Sequence, residues 1–181
     1  RIQRELGVTT IYVTHDQREA LVVSDDIIVM DAGKIQQHAS PVAMYRNPLN
    51  TFVAGFLGVS SFVEGPSTSG GLSVDGQDLS GIHIGEIPAG TPVRGAVRAE
   101  QIRISNNPSL LSDCDTRLEG KVRDVIFEGE RLLYLVSVAI GAGNEFQIYH
   151  HDPAAFDLYE IGSSVSIGWR RSDMKVFKSA Q

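Results

Sequence analysis

The 181-residue sequence predicts an α/β segment over residues 1–57 followed by an all-β unit over 58–181. Three observations carry this reading. The apolar run Ile11-Tyr12-Val13 ends in the polar cluster Thr14-His15-Asp16-Gln17 and then opens a helix, the pattern of a strand buried on both faces of a parallel sheet. After Gly58 the composition shifts to a turn-rich stretch containing Gly65, Pro66, Gly70 and Gly71. From there short apolar runs recur between turn residues, as in a small barrel or sandwich.

Arg1 to Leu6 reads as a helix end stopped by Gly7. Val8–Thr14 is the buried strand, and Asp16 caps a helix that runs to about Val23 with Arg18 and Glu19 facing water. Asp26–Asp31 and Lys34–His38 form a hairpin closed by Asp31-Ala32-Gly33, where Gly33 supplies the positive φ. Ser40 as cap and Pro41 at the first helical position start a helix that ends at Arg46 before Asn47-Pro48. Asn50 caps the next helix, whose Phe52, Val53, Phe56 and Leu57 fall on one apolar face.

In the β-unit, apolar runs lie at 62–63, 72–74, 82–84, 93–97, 102–104, 118–127, 132–140, 145–149, 165–169 and 174–177. Asp75-Gly76, Ala142-Gly143-Asn144 and Ile161-Gly162 are turn signals between them.

A hydrophobic content of 42% and a charged content of 21% are those of an ordinary globular chain. The net charge of −6 gives no support for nucleic-acid binding. No apolar run reaches the length of a membrane span, and no secretory signal is visible. The single Cys114 has no partner for an internal disulfide, and Asp113 and Asp115 beside it disfavour a thiolate.

His15 is the sharpest chemical candidate. It stands at the carboxyl end of the predicted strand, where open α/β sheets bind ligands, and an imidazole can accept from a water or donate to a phosphate. His150-His151-Asp152 suggests a metal site, but adjacent strand residues point to opposite faces and no further Cys or His completes a ligand set. Metal ligands are therefore not expected. Arg98 and Glu100 in Val97-Arg98-Ala99-Glu100 read as a structural corner, and Trp169 as a barrel-core residue. The chain has no G-x-x-x-x-G-K-[ST] phosphate loop, so no cofactor-binding residue is assigned within it.

Taken together, Val13-Thr14-His15-Asp16-Gln17-Arg18-Glu19-Ala20-Leu21 resembles the switch-histidine region of the ATP-binding subunits of ABC transporters. Residues 24–35 are similar to the hairpin that follows there, and Pro41 to Pro48 with Phe52 to Gly58 resemble the closing helices of the importer subgroup serving sugars, polyamines and ferric iron. Val97-Arg98-Ala99-Glu100 and Phe127-Glu128-Gly129 match that subgroup's C-terminal regulatory domain more loosely, an OB-type β-barrel often called TOBE. Ala99 stands where related subunits usually carry Pro, and Ala39 where they often carry Gly.

The resemblance implies that residues 1–57 are the C-terminal end of a nucleotide-binding domain with its bracing helices, and that 58–181 are the TOBE domain. It implies a C-terminal piece of a longer ATP-hydrolysing subunit, with the phosphate loop and the magnesium ligand upstream. His15 is then the switch histidine, which senses the γ-phosphate and aligns the attacking water. ATP and Mg are implied for the full-length subunit and none for this fragment, which is expected to be inactive alone. The implied partners are a second copy of the subunit and transmembrane permease subunits, with no nucleic acid. The implied location is cytoplasmic, peripheral on the inner face of the cell membrane. Sugars, glycerol phosphate, polyamines and ferric iron are all compatible solutes.

A function of a different class, a free-standing small-ligand-binding OB-type module, is open to the β-unit alone, since such barrels bind oligonucleotides and oligosaccharides. Residues 1–57 have no use in such a module. Because Val8–Thr14 lacks sheet neighbours in this chain, self-association with two-fold symmetry is also expected.

Overall fold

A computed structural model describes residues 7–141, 144–151 and 158–179. The helix end expected at Arg1–Leu6, the Ala142-Gly143 part of a turn, and Asp152 with Pro153 lie outside the described residues. The chain divides into two compact units, Arg1–Pro48 and Leu49–Gln181. The helix after Asn50 thus groups with the β-unit, whereas the sequence pattern places the boundary near Gly58.

In the first unit the expected strand Val8–Thr14 does not form. The stretch has no regular structure, and Ile11 and Val13 are each 90% exposed. A strand is stable when neighbours take up its N–H and C=O groups. Among the described residues of this unit, the only strands, β1 (Ile27–Asp31) and β2 (Lys34–Ala39), pair with each other. Helix α1 (Gln17–Val23) does form, and Asp16 caps it as expected, its Oδ1 accepting from the Glu19 N–H at 3.0 Å. Ala32 and Gly33 both take positive φ, 46° and 77°, as a two-residue hairpin turn requires. Ile27 and Val29 are buried while Ile28 and Met30 face out, the alternation of a half-covered strand. Helix α2 (Pro41–Arg46) starts on Pro41, but the Ser40 side chain makes no capping bond, so Pro41 with its preset φ is the start signal here.

The second unit is mostly β, with two sheets of five and six strands among the described residues. Helix α3 (Thr51–Phe56) leads in, capped by Asn50 Oδ1 on the Val53 N–H at 2.9 Å. Its buried face is Val53, Ala54 and Leu57. Phe52 and Phe56, expected on that face, are half-exposed and stack on each other at 5.7 Å.

The strands are β3 (Ser60–Thr68), β4 (Gly71–Val74), β5 (Gln77–Ser80), β6 (Ile82–His83), β7 (Pro92–Arg98) and β8 (Arg103–Ser105). They continue with β9 (Thr116–Phe127), β10 (Arg131–Val138), β11 (Glu145–His151), β12 (Ser164–Trp169) and β13 (Met174–Lys178). Six form one sheet in the order β5-β4-β3-β7-β13-β6 and five form another in the order β11-β10-β9-β12-β8. All pairings are antiparallel except β13 with β6. β5 was not among the expected strands because only Leu79 in it is apolar. Its signal is the turn before it, where Asp75 and Gly76 both have positive φ.

Both sheets contribute to one core, in which Trp169, Tyr134, Phe146 and Ile148 are fully buried. Side chains and backbone stitch the two sheets together. Trp169 Nε1 donates to Ser80 O at 3.2 Å, and the Ser80 N–H donates to the buried Thr116 Oγ1 at 2.8 Å. At the other side the Gln147 N–H donates to Ser61 Oγ at 2.8 Å and the Tyr149 N–H to Ala99 O at 2.9 Å. Trp169 is thus a core residue with its one polar atom satisfied, as expected.

Candidate functional site

His15 stands directly before the cap of α1 and its side chain is exposed. The backbone around it is held by a local polar knot. Glu19 Oε2 accepts from Tyr12 Oη at 2.8 Å and from Thr14 Oγ1 at 3.3 Å, and Thr14 Oγ1 in turn accepts from the Asp16 N–H at 3.0 Å. The carboxylate of Glu19, bonded to the Tyr12 hydroxyl, also pushes that phenol's pKa upward. These bonds fix the residues on both sides of His15 and leave its imidazole facing solvent. An imidazole so placed can take or give a proton to a water or a phosphate oxygen brought to it. Asp16 works as the helix cap, and Arg18 and Glu19 are exposed, as expected.

The corner Val97-Arg98-Ala99-Glu100 is built differently. Arg98 ends β7 and is only 7% exposed. Its Nη1 donates to Ala54 O at 2.8 Å, to Leu57 O, and to Ser60 Oγ at 3.0 Å. Ser60 Oγ donates to the same Ala54 carbonyl at 3.0 Å. The guanidinium therefore grips the last turn of α3, whose carbonyls carry the negative end of the helix dipole. Composition and spacing did not reveal this clamp. The available signal was an arginine closing a strand in which Val93, Gly95, Ala96 and Val97 are all buried, since a charge in that position must find acceptors. Ala99 is fully buried and its N–H donates to Val59 O at 3.0 Å.

Asp113 lies between two guanidinium groups, with Arg103 on Oδ1 and Arg170 Nη2 on Oδ2 at 2.5 Å. Hydrogen bonds from Arg170 and then Arg103 hold its carboxyl down to about 2. Neighbouring Cys114 is buried. Burial pushes its thiol up, with Arg103 opposing and Asp113 adding. The direction is the one expected from sequence, with a different main cause.

His150 and His151 lie on opposite faces of β11. His150 packs against Tyr159 at 6.1 Å and Tyr134 at 6.0 Å, and His151 against Tyr149 at 6.3 Å. Burial first, then the nearby His151, lowers the His150 pKa. Among the described residues no group of three or more His, Cys, Asp or Glu side chains is placed to hold a metal ion.

Residues 95–177 match the TOBE domain family. The spermidine/putrescine import ATP-binding protein PotA of Acidothermus cellulolyticus is 36% identical over 178 residues, covering 94% of this chain and 45% of that protein. The protein of the same name from Nitrosospira multiformis is 34% identical over 184 residues, covering 93% of this chain and 48% of the relative. The sulfate/thiosulfate import ATP-binding protein CysA 1 of Chromobacterium violaceum is 39% identical over 104 residues, 58% of this chain and 28% of that protein. The chain spans about half the length, or less, of these curated relatives. Among solved structures, the cytoplasmic molybdate-binding protein ModG aligns at a TM-score of 0.45 and 18% identity, over 50% of this chain and 64% of that one.

Proposed function

Because this chain carries a TOBE domain and is homologous over most of its length to the C-terminal region of PotA-type import ATP-binding subunits, we propose that it is the C-terminal part of an ATP-hydrolysing subunit powering an ABC-type importer. Residues 1–57 then supply the end of the nucleotide-binding domain. His15 is the switch histidine, and 58–181 form a regulatory and dimerisation domain. The observation that carries the role of His15 is its place: an exposed imidazole directly ahead of a capped helix, with the residues on both sides tied down by Glu19 and Thr14.

In this reading His15 meets the γ-phosphate and the attacking water, and holding that water in line is its contribution. ATP and Mg bind the complete subunit through residues outside this chain. A second copy and membrane permease subunits are its partners, and it works at the cytoplasmic face of the membrane. No helix among the described residues is long and apolar enough to cross a membrane.

The test is His15→Ala in the complete subunit assembled with its permease. ATP binding should be nearly unchanged, while hydrolysis should fall by on the order of 10²-fold, as when a positioned proton-transfer or transition-state group is lost. Hydrolysis at the parental rate would remove His15 from the mechanism. The 181-residue chain alone, titrated with ATP and Mg in a calorimeter, should show no micromolar binding. Such binding would overturn the reading that the phosphate-cradling residues lie elsewhere.

A further inference from the structure

Helix α3 has six residues, too few to be stable without tertiary support. Val53 and Leu57 are fully buried, and Ala54 joins a small cluster with Ala96 and Phe177, set apart from the main core. Gly55 lets the helix approach β3 closely, since a Cβ there would meet the Phe62 ring at 3.2 Å. To this packing is added one strong polar contact. The buried guanidinium of Arg98 bonds the Ala54 and Leu57 carbonyls and the Ser60 hydroxyl, and Ser60 returns a bond to Ala54 O. Hydrogen bonds to a charged group are about twice as strong as neutral ones; without the guanidinium, Leu57 O loses this bond while Ala54 O keeps the one from Ser60 Oγ. The next residue adds a backbone tie on the same side, from the Ala99 N–H to Val59 O.

We propose that Arg98 is a latch: one guanidinium that holds α3 onto the β-unit and whose release frees the helix while the two sheets stay folded. The placement of the bonds carries this: the guanidinium reaches the carbonyls at the end of α3. The sheets rest on a shared core and on cross-sheet bonds such as Ser80–Thr116 and Gln147–Ser61, none of which involves Arg98. The chain changes from one compact unit to the other ahead of α3, between Pro48 and Leu49, so the latched helix groups with the β-unit. The inference does not depend on the proposed ATPase role.

Amide hydrogen exchange on the intact chain tests it, comparing the parent with Arg98→Met and Arg98→Lys. The Val53, Ala54 and Leu57 amides bond to Asn50 Oδ1, Asn50 O and Val53 O, so they report the helix directly. In Arg98→Met their protection should fall by at least about fivefold, the low end of the effect of leaving a buried acceptor unpaired. Protection in β9, β10 and β12 should stay within about threefold of the parent, since sites without shared partners respond independently. Arg98→Lys keeps the charge and a donor, so a smaller loss at the same three amides is expected. If Arg98→Met does not fold, Arg98→Lys decides alone. Unchanged helix amides overturn the latch, and so does a loss spread equally over both sheets, which would make Arg98 a general core residue.

Discussion

The two compact units of this chain bury their apolar residues to different extents: the first covers Ile27, Val29 and Met44 but leaves much else exposed. In the first, Ile11 and Val13 are 90% exposed and Val22 is 83% exposed, and α1 buries none of its residues. In the second, Trp169, Tyr134, Phe146 and Ile148 are fully buried in a core fed by both sheets. Local signals are obeyed in both: Asp16 and Asn50 each cap a helix, and two positive-φ residues close each of the hairpins at 32–33 and 75–76. The difference is therefore in long-range partners. The β-unit supplies its own, while the strand pattern in the first unit calls for neighbours that the described residues do not contain.

The largest expected effect tests the completeness of the β-unit. Phe146 is fully buried and its ring lies 5.5 Å from that of Trp169. Phe146→Ala should lower unfolding stability by about 3–5 kcal/mol, the usual cost of emptying an aromatic core position. Urea unfolding followed by Trp169 fluorescence would measure it. A loss below about 1 kcal/mol would mean that the core is not packed as described.

Ala99→Pro comes next. It removes an N–H that donates to Val59 O at a fully buried site. The orphaned carbonyl and the fixed φ should cost about 1–3 kcal/mol by the same unfolding measurement. A neutral or stabilising result would show that this corner can be held in either way.

The third effect appears in acid. Arg170 and Arg103 lower the Asp113 carboxyl from an ordinary 3.8 to about 2. A depressed carboxylate contributes stability above its unfolded value and loses that contribution as pH falls through the folded one. The contribution should therefore be complete above about pH 5 and disappear between about pH 4 and 2. Asp113 is solvent-exposed, so the effect is modest and sensitive to salt. In thermal melts across this range, Asp113→Asn should flatten that part of the pH dependence. An unchanged slope would mean that the two arginines do not hold Asp113 in solution.

The sequence was legible where one residue and its immediate neighbours decide the outcome. The capping by Asp16 and Asn50, the start of α2 at Pro41, the turn at Gly33 and most strands of the β-unit follow from short-range chemistry. It was less legible where the partner is remote. The grip of Arg98 on Ala54 spans 44 residues, and the bond from Trp169 to Ser80 spans 89. β5 was hidden because three of its four residues are polar, and its pairing partner β4 decides its place. For His15 the sequence indicated the residue and its position before a helix, but the Tyr12–Glu19–Thr14 knot that fixes its surroundings depends on how the chain folds back over seven residues.

The smallest effect is the one that can break the comparison. In the structure Val13 is 90% exposed and belongs to no strand, so Val13→Ser removes almost no buried surface. In this chain the substitution should change stability by no more than about 0.5 kcal/mol, as is usual for surface positions. The local pattern Ile11-Tyr12-Val13 nevertheless reads as a strand buried on both faces. If the complete subunit supplies sheet neighbours, as proposed above, Val13 becomes buried there. The same change should then cost about 1.5–3 kcal/mol for the lost burial, with a further penalty for the hydroxyl if it finds no partner. The measurement is a matched pair of denaturant titrations, one on this chain and one on the complete subunit. A cost above about 1 kcal/mol in this chain alone would show that Val13 is covered here too, by this chain or by a second copy. The contrast between the two units would then fail. A negligible cost in both would show that the strand pattern is never completed, and would overturn the proposal that the first unit is the end of a nucleotide-binding domain.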